Sequence, residues 1–301
     1  MKLRTSAVIA SGKGQPAVAL FRRPHHPCRR AFTLIELLVV IGTVAFGLAM
    51  LIPALARTRT NSPAFQCLEN LCQLQRAEAM YAADHSGSLA PNFGQFTYTY
   101  AAWCTGVLDW NQGVGVGSLG EGVPPDANTN YLVKALLGPY VGRIPAYYKC
   151  PADKVPGLIG PRVRSYAMNA FVGVADNTLT TTFTYGRSYG LFRNQSDLTS
   201  PGPANTWVLM DEHPDSIDDC YFVQAMPSTS SWPTYTAWGE LPASYHNNAG
   251  ALSFADGHVE AHKWLDPQTV WPVQRIHPAS GLGTTSVHDS AWLVARTTAP
   301  D

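Results

Sequence analysis

The 301-residue chain balances 21 Lys and Arg against 21 Asp and Glu, and 46% of its residues are hydrophobic. That length can bury one good core or two small ones, and the charge lacks the concentrated basic surface of a nucleic-acid-binding protein. The balance is uneven along the chain. Lys2, Arg4, Lys13, Arg22, Arg23, Arg29 and Arg30 stand in residues 1–31 without one acid, leaving 14 basic and 21 acidic residues, net −7, for the remainder.

After this basic leader comes Phe32-Thr33-Leu34-Ile35-Glu36, and from Leu37 to Ala56 only Thr43, two glycines and Pro53 interrupt an apolar run. Roughly 20 apolar residues suffice to cross a bilayer. The basic excess before the run, against Arg57 and Arg59 after it, predicts a cytoplasmic N-terminus, a single pass of the inner membrane and a periplasmic head. A carboxylate at Glu36 is out of place in such a run and calls for a partner. One helix is predicted from Phe32 to about Ala56, kinked at Pro53. Ser62 is placed to N-cap a restart with Pro63 at its first position, and Pro63 either restarts the long helix or breaks it outright. Cys67, Leu71, Leu74 and Tyr81 then mark one helical face that ends at Asp84-His85-Ser86-Gly87.

Residues 86–128 are rich in Gly, Asn and aromatics and show no period. The stretch GVGVGSLGEG (113–122) lacks the Lys-Ser/Thr of a phosphate loop and reads as a flexible connection. A short helix is expected over Thr129–Tyr140, and a threonine-rich strand over 178–185. TWVLMDE (206–212) and CYFVQAM (220–226) read as strands. ALSFADGHVEAHKW (251–264) reads as a hairpin with Asp256-Gly257 as a type I′ turn. That turn pairs Phe254 with Val259 and Leu252 with Ala261 on the core face. Ser253, His258, Glu260 and His262 then fall on the other face.

Several side chains carry candidate chemistry. His258, Glu260 and His262, with His246 in reach, offer donors for a zinc-like ion, or are the wet face of an antiparallel sheet. Asp256 reads as a turn residue, and His246 as its brace. Asp211, Glu212, Asp215, Asp218 and Asp219 crowd one loop with hard oxygen donors that suit Ca²⁺, or form a solvated acidic loop; the spacing is not that of an EF-hand. Of six cysteines, Cys28 lies in the leader, and Cys67 and Cys72 are poorly spaced for a bridge if both are helical. Cys67 with Cys150 is the favoured disulfide in an oxidising compartment. There is no G-x-S-x-G, HExxH or Ser-x-x-Lys, so no enzyme is predicted. Trp103, Trp110, Trp232, Trp238 and Trp264 suit a core or a carbohydrate-binding surface.

Three readings of the N-terminus stand side by side: a plain anchor, a secretory signal ending at Ala54-Leu55-Ala56, and a processed pilin-type segment. For the third, Ala31-Phe32-Thr33-Leu34-Ile35-Glu36-Leu37 closely resembles the cleavage and methylation segment of type IV prepilins and type II secretion pseudopilins, with Ala31 where that family usually has Gly. The resemblance implies that a prepilin peptidase cuts between Ala31 and Phe32, and that Phe32 is N-methylated. Glu36 would pair with the Phe32 amine of a neighbouring subunit, a buried ion pair that sets register more than stability. His246 followed by Asp256-Gly257 also resembles the H-x9-DG motif of a large group of pseudopilin-like bacterial proteins. So do residues 67–92, CPAD (150–153) and SYAMN (165–169), whereas 93–128 has no counterpart in that group. Major pseudopilins bind calcium in a C-terminal loop, which favours the Ca²⁺ reading of residues 211–219.

The resemblance implies an α+β fold in which a long N-terminal helix, transmembrane then amphipathic, packs on an antiparallel β-sheet head. Residues 1–31 would be a cleaved cytoplasmic leader, 32–60 the transmembrane and filament-core helix, and 61–301 the periplasmic head. The implied partners are the prepilin peptidase, other pseudopilin subunits, an inner-membrane assembly platform and inner-membrane lipid, with no nucleic acid. A membrane-anchored binding or metal-dependent catalytic protein carrying the same segment is the alternative.

Overall fold

The structure, a computed structural model, describes residues 32–60, 62–92, 100–108, 110, 127–157, 160–175, 189–227, 238–275 and 287–300. The leader with Ala31 and Cys28, the 113–122 loop, the 178–185 strand and Trp232 lie outside the described residues. Two compact units divide the chain, Met1–Ala54 and Leu55–Asp301.

The first unit contributes most of α1 (Leu34–Thr60). Leu34, Ile35, Leu38, Ile41, Val44 and Phe46 are all more than half exposed on it, so its apolar surface runs right round the helix. Among the described residues no helix is long and apolar enough to cross a membrane. The expected single-pass placement in the inner membrane, with a cytoplasmic N-terminus and a periplasmic head, is therefore overturned.

The second unit is α+β. Its long helix, α2 (Pro63–Asp84), starts where sequence logic puts it. Ser62 is extended and accepts the Phe65 N–H at its side chain, and Pro63 fills the first turn, where a missing N–H is harmless. Cys67, Leu71, Leu74, Ala77 and Tyr81 form its buried face. The helix expected over Thr129–Tyr140 is only α3 (Asn130–Val133), followed by a 3₁₀ turn at Pro139–Val141. Between them a Cβ on Gly138 would stand 2.4 Å from the Val133 carbonyl oxygen, a closeness open only to glycine.

Five strands form one sheet in the order β3-β1-β2-β4-β5. They are β1 (Tyr166–Asn169), β2 (Trp207–Asp211), β3 (Tyr221–Phe222), β4 (Ala249–Phe254) and β5 (Val259–Lys263). The sheet is mixed rather than purely antiparallel, because β3 pairs parallel to β1. The loop after β2 carries the chain past β1, so β3 returns antiparallel to β2 on the far side of β1.

The β4–β5 hairpin is offset by one residue from the expected register: Ser253 faces Val259, Leu252 faces Glu260 and Ala251 faces Ala261. Phe254 N–H donates to the His258 carbonyl and Gly257 N–H to that of Phe254; Gly257 alone of the turn residues has positive φ, at 98°. This is a three-residue type I turn with a Gly bulge, not the two-residue I′ turn, which needs positive φ at both centres.

The offset gives each sheet face a different partner. Ala251 and Val259 join the α2-side core with Leu71, Leu74 and Met168. Leu252 and Phe254 join Trp207, Met210, Phe222 and Trp264 on the other face, against Leu293 of α4 (His288–Thr297). Ser253, expected on the wet face, is thus covered with every other residue of β1, β2 and β4, whereas Glu260 and His262 are half-buried and His258 is exposed. Asn169 Nδ2 donates to the carbonyls of Trp207 and Thr297, and Trp207 Nε1 to the Thr297 hydroxyl, which fastens α4 to the sheet. Trp103, Trp238 and Trp264 are core residues, not a surface platform.

Candidate metal centre

Four segments distant in sequence bring one side chain each to a single point. Cys67 comes from the buried face of α2 and Asp211 from the C-terminal end of β2. Cys150 follows the 3₁₀ turn Pro145–Tyr148, which α2 holds in place through Asn70 Nδ2 donating to the Ala146 and Lys149 carbonyls. Ser165 accepts the Cys150 N–H at its hydroxyl and the Glu212 N–H at its carbonyl, tying that segment to the end of β2. His246 sits just before β4, where Asn247 and Asn248 adopt left-handed backbone, φ 58° and 63°, to turn the chain.

The four ligand atoms all lie within 4.8 Å of one another. Cys67 Sγ is 3.0 Å from Asp211 Oδ2, Cys150 Sγ is 3.2 Å from His246 Nε2, and His246 Nε2 is 3.4 Å from Asp211 Oδ2. Cys67, Cys150 and Asp211 are fully buried, and the His246 side chain is 5% exposed. Tyr166 of β1 donates its hydroxyl to Cys67 Sγ at 3.2 Å. Asp211 Oδ1 is buried with no hydrogen-bond partner. An open cleft of 470 Å³ lined by Ala146, Lys149, Cys150, Asp153 and Lys154 reaches the cluster from the Cys150 side.

The electrostatics are those of groups taken out of water together. Burial pushes the Cys67 thiol and the Asp211 carboxyl above their ordinary values. The hydrogen bond from Cys67 leads in holding Cys150 low. Burial works against the charge of His246, but its hydrogen bonds to Asp211 and Cys150 outweigh that and push it up to about 10. Two sulfurs, one imidazole nitrogen and one carboxylate oxygen are the donor types zinc takes, and they are too soft a set for calcium.

Three sequence readings meet in this one place. Cys67 and Cys150, the favoured disulfide pair, are neighbours as free thiols. Asp211 leaves the acidic loop to join them, and His246 binds Asp211 and Cys150 instead of bracing the hairpin turn. The other strand-face candidates do not converge. His258 stacks on Phe254 and bonds Asp256 at 2.5 Å; Glu260 lies opposite Leu252; His262 stacks on Trp292 at 3.6 Å.

The rest of the acidic loop is buried rather than solvated. Glu212 accepts from the Ser216 hydroxyl, and Asp215 accepts the backbone N–H groups of Gln274 and Arg275. Asp218 and Asp219 approach Glu240, which no spacing or motif marks as their partner. Buried Arg164 donates to the carbonyls of Tyr166 and Asp219 beside them.

At the start of α1, Phe32 is 74% exposed. Glu36 Oε2 accepts from the Thr33 backbone N–H and hydroxyl, both at 2.8 Å, while the Thr33 hydroxyl accepts the Glu36 N–H. This is a capping box. The signal, Thr-x-x-Glu before an apolar run, stands in the sequence and explains locally why a carboxylate sits there.

No protein-family model, curated protein or solved structure matches this chain.

Proposed function

We propose that the protein is a structural, pseudopilin-type subunit that polymerises through α1. The observation that carries this reading is a helix apolar on every side, with Leu34, Ile35 and Phe46 each at least 65% exposed and one carboxylate in its first turn. Exposed apolar surface on that scale marks an interaction surface. Equivalent helices of further copies bury it without leaving a polar group stranded. The AFTLIEL segment supports processing by a prepilin peptidase between Ala31 and Phe32, N-methylation of Phe32, and pairing of Glu36 with a neighbouring Phe32 amine. A filament of the type II secretion or type IV pilus-like kind, built on an assembly platform, follows from that reading. The long helix and sheet head are then the pilin-like architecture, and the role is mechanical rather than catalytic.

Mass spectrometry of the N-terminal peptide from natively expressed protein tests it. N-methylated Phe32 is the expected terminus. A chain beginning at Arg57 or retaining Met1 overturns the processing step, and the polymer reading falls with it.

A further inference from the structure

We infer that Cys67, Cys150, Asp211 and His246 form a closed tetrahedral site for one zinc ion, which clamps α2, the segment after Pro145–Tyr148, β2 and the approach to β4. This goes beyond the filament reading and does not depend on it. Three observations converge on it. The first is the donor set, two thiols, an imidazole and a carboxylate, with all four ligand atoms inside 4.8 Å. Zinc bonds of about 2.0–2.3 Å at tetrahedral angles separate ligand atoms by about 3.3–3.8 Å. The 3.4 Å contact falls inside that range and those of 3.0 and 3.2 Å fall just below it, so a small outward movement admits the ion.

The second observation is Asp211 Oδ1, a buried carboxylate oxygen with no hydrogen-bond partner. Cys67 and His246 both meet the other oxygen, Oδ2, so Oδ1 stays unmet, and a buried carboxylate oxygen without a partner is costly. The third is the surrounding shell. The Tyr166 hydroxyl is aimed at Cys67 Sγ, which is what a metal-bound thiolate accepts. The cleft on the Cys150 side gives the ion a route in.

Four protein donors and near-complete burial leave no open coordination position, so the site is structural. Binding Zn²⁺ displaces to solvent the protons held by the two sulfurs and the proton that His246 carries in the metal-free protein. The bound unit, two thiolates and a carboxylate against a dication with neutral His246, carries one net negative charge. Affinity therefore falls as pH falls and protons compete for sulfur and imidazole.

The test uses the full chain, purified with zinc in the medium and no chelator. One zinc per chain by elemental analysis is expected, with two thiols protected from alkylation until chelator is added. Replacement by Co²⁺ should give a thiolate-to-cobalt charge-transfer band. Asp211→Asn and His246→Gln keep side-chain shape and should weaken zinc by more than the ~10–100-fold typical of losing an outer-shell partner, while Tyr166→Phe should fall within that range. Wild-type protein that holds no zinc after loading and dialysis overturns the proposal, whether or not the variants fold. So does recovery of a Cys67–Cys150 disulfide peptide from non-reduced protein. Zinc retained with unchanged affinity in Asp211→Asn also overturns it, by placing the ion elsewhere, such as near Asp218, Asp219 and Glu240.

Discussion

Thr33 and Glu36 hold one another at the head of α1: each donates to the other, with the carboxylate receiving two hydrogen bonds at 2.8 Å. The carboxylate therefore has a local task, capping the helix, besides the intersubunit pairing proposed for it. Glutamine serves a capping box as well as glutamate does, and this separates the two. Glu36→Gln should keep the helix start yet abolish polymerisation, as Glu36→Ala should. Thr33→Val should fray the first turn but still polymerise. Filament yield by electron microscopy is the readout, and normal filaments from Glu36→Gln would show that the charge has no part in assembly.

Glu78 is fully buried on α2, accepts the Ala90 N–H at 2.7 Å, and has its second oxygen unpartnered. Burial raises its pKa from 4.5 to about 7, the Ala90 hydrogen bond opposing this. A folded-state pKa above the unfolded value means the native state holds the proton more tightly. That contribution is complete below about pH 4.5 and is lost as pH rises through about 7. On the order of 3 kcal/mol is at stake. Denaturation curves between pH 4.5 and 8 should show stability declining as pH rises. Glu78→Gln, which keeps the acceptor for Ala90, should flatten that decline and be more stable than wild type at pH 8.

Ser253 of β4 joins the sheet to α2 by a buried relay: its hydroxyl accepts the Leu209 N–H at 3.1 Å and donates to Gln75 Oε1 at 3.0 Å. Ser253→Ala removes both partners at once and leaves a buried donor and acceptor unmet. A loss of about 1–3 kcal/mol is expected by denaturant titration. A change below a few tenths would mean water takes the place of the hydroxyl.

Gly257 closes the hairpin at φ 98° with open space where a Cβ would be added. Only backbone strain then opposes a side chain, and Gly257→Ala should destabilise by about 1–2 kcal/mol. A neutral result would indicate that the turn relaxes to another type, which amide chemical shifts of Phe254 and His258 would reveal.

How far the sequence spoke depended on the range of the interaction. The start of α2 was legible because Ser62, Pro63 and the Cys67-Leu71-Leu74 spacing are local signals acting within two turns. The hairpin was legible in position, since Asp256-Gly257 marks a turn. Its register was not, because the same dipeptide closes two-residue and three-residue loops that differ by one residue. Two residues of the expected wet face are covered by elements far from them in sequence: α2 meets Ser253 through Gln75, and α4 stacks Trp292 on His262. The metal cluster was illegible as a unit. Cys67 and Cys150 have a sufficient explanation as a disulfide, Asp211 as part of an acidic loop, and His246 as a turn brace. Only tertiary structure sets the four against each other.

That cluster has a consequence in time. Cys67 and Asp211 are 144 residues apart in the chain, and Cys150 and His246 are 96 apart. Contacts of such separation form late, after the loops between them have closed. At synthesis rates of about 5–20 residues per second, His246 follows Cys67 out of the ribosome by roughly 10–40 s. For about a third of that interval, from Cys150 to Asp211, both sulfurs exist while the carboxylate and the imidazole do not. The oxidation state of the nascent chain in those seconds therefore decides whether the finished head inherits two thiols or a bridge.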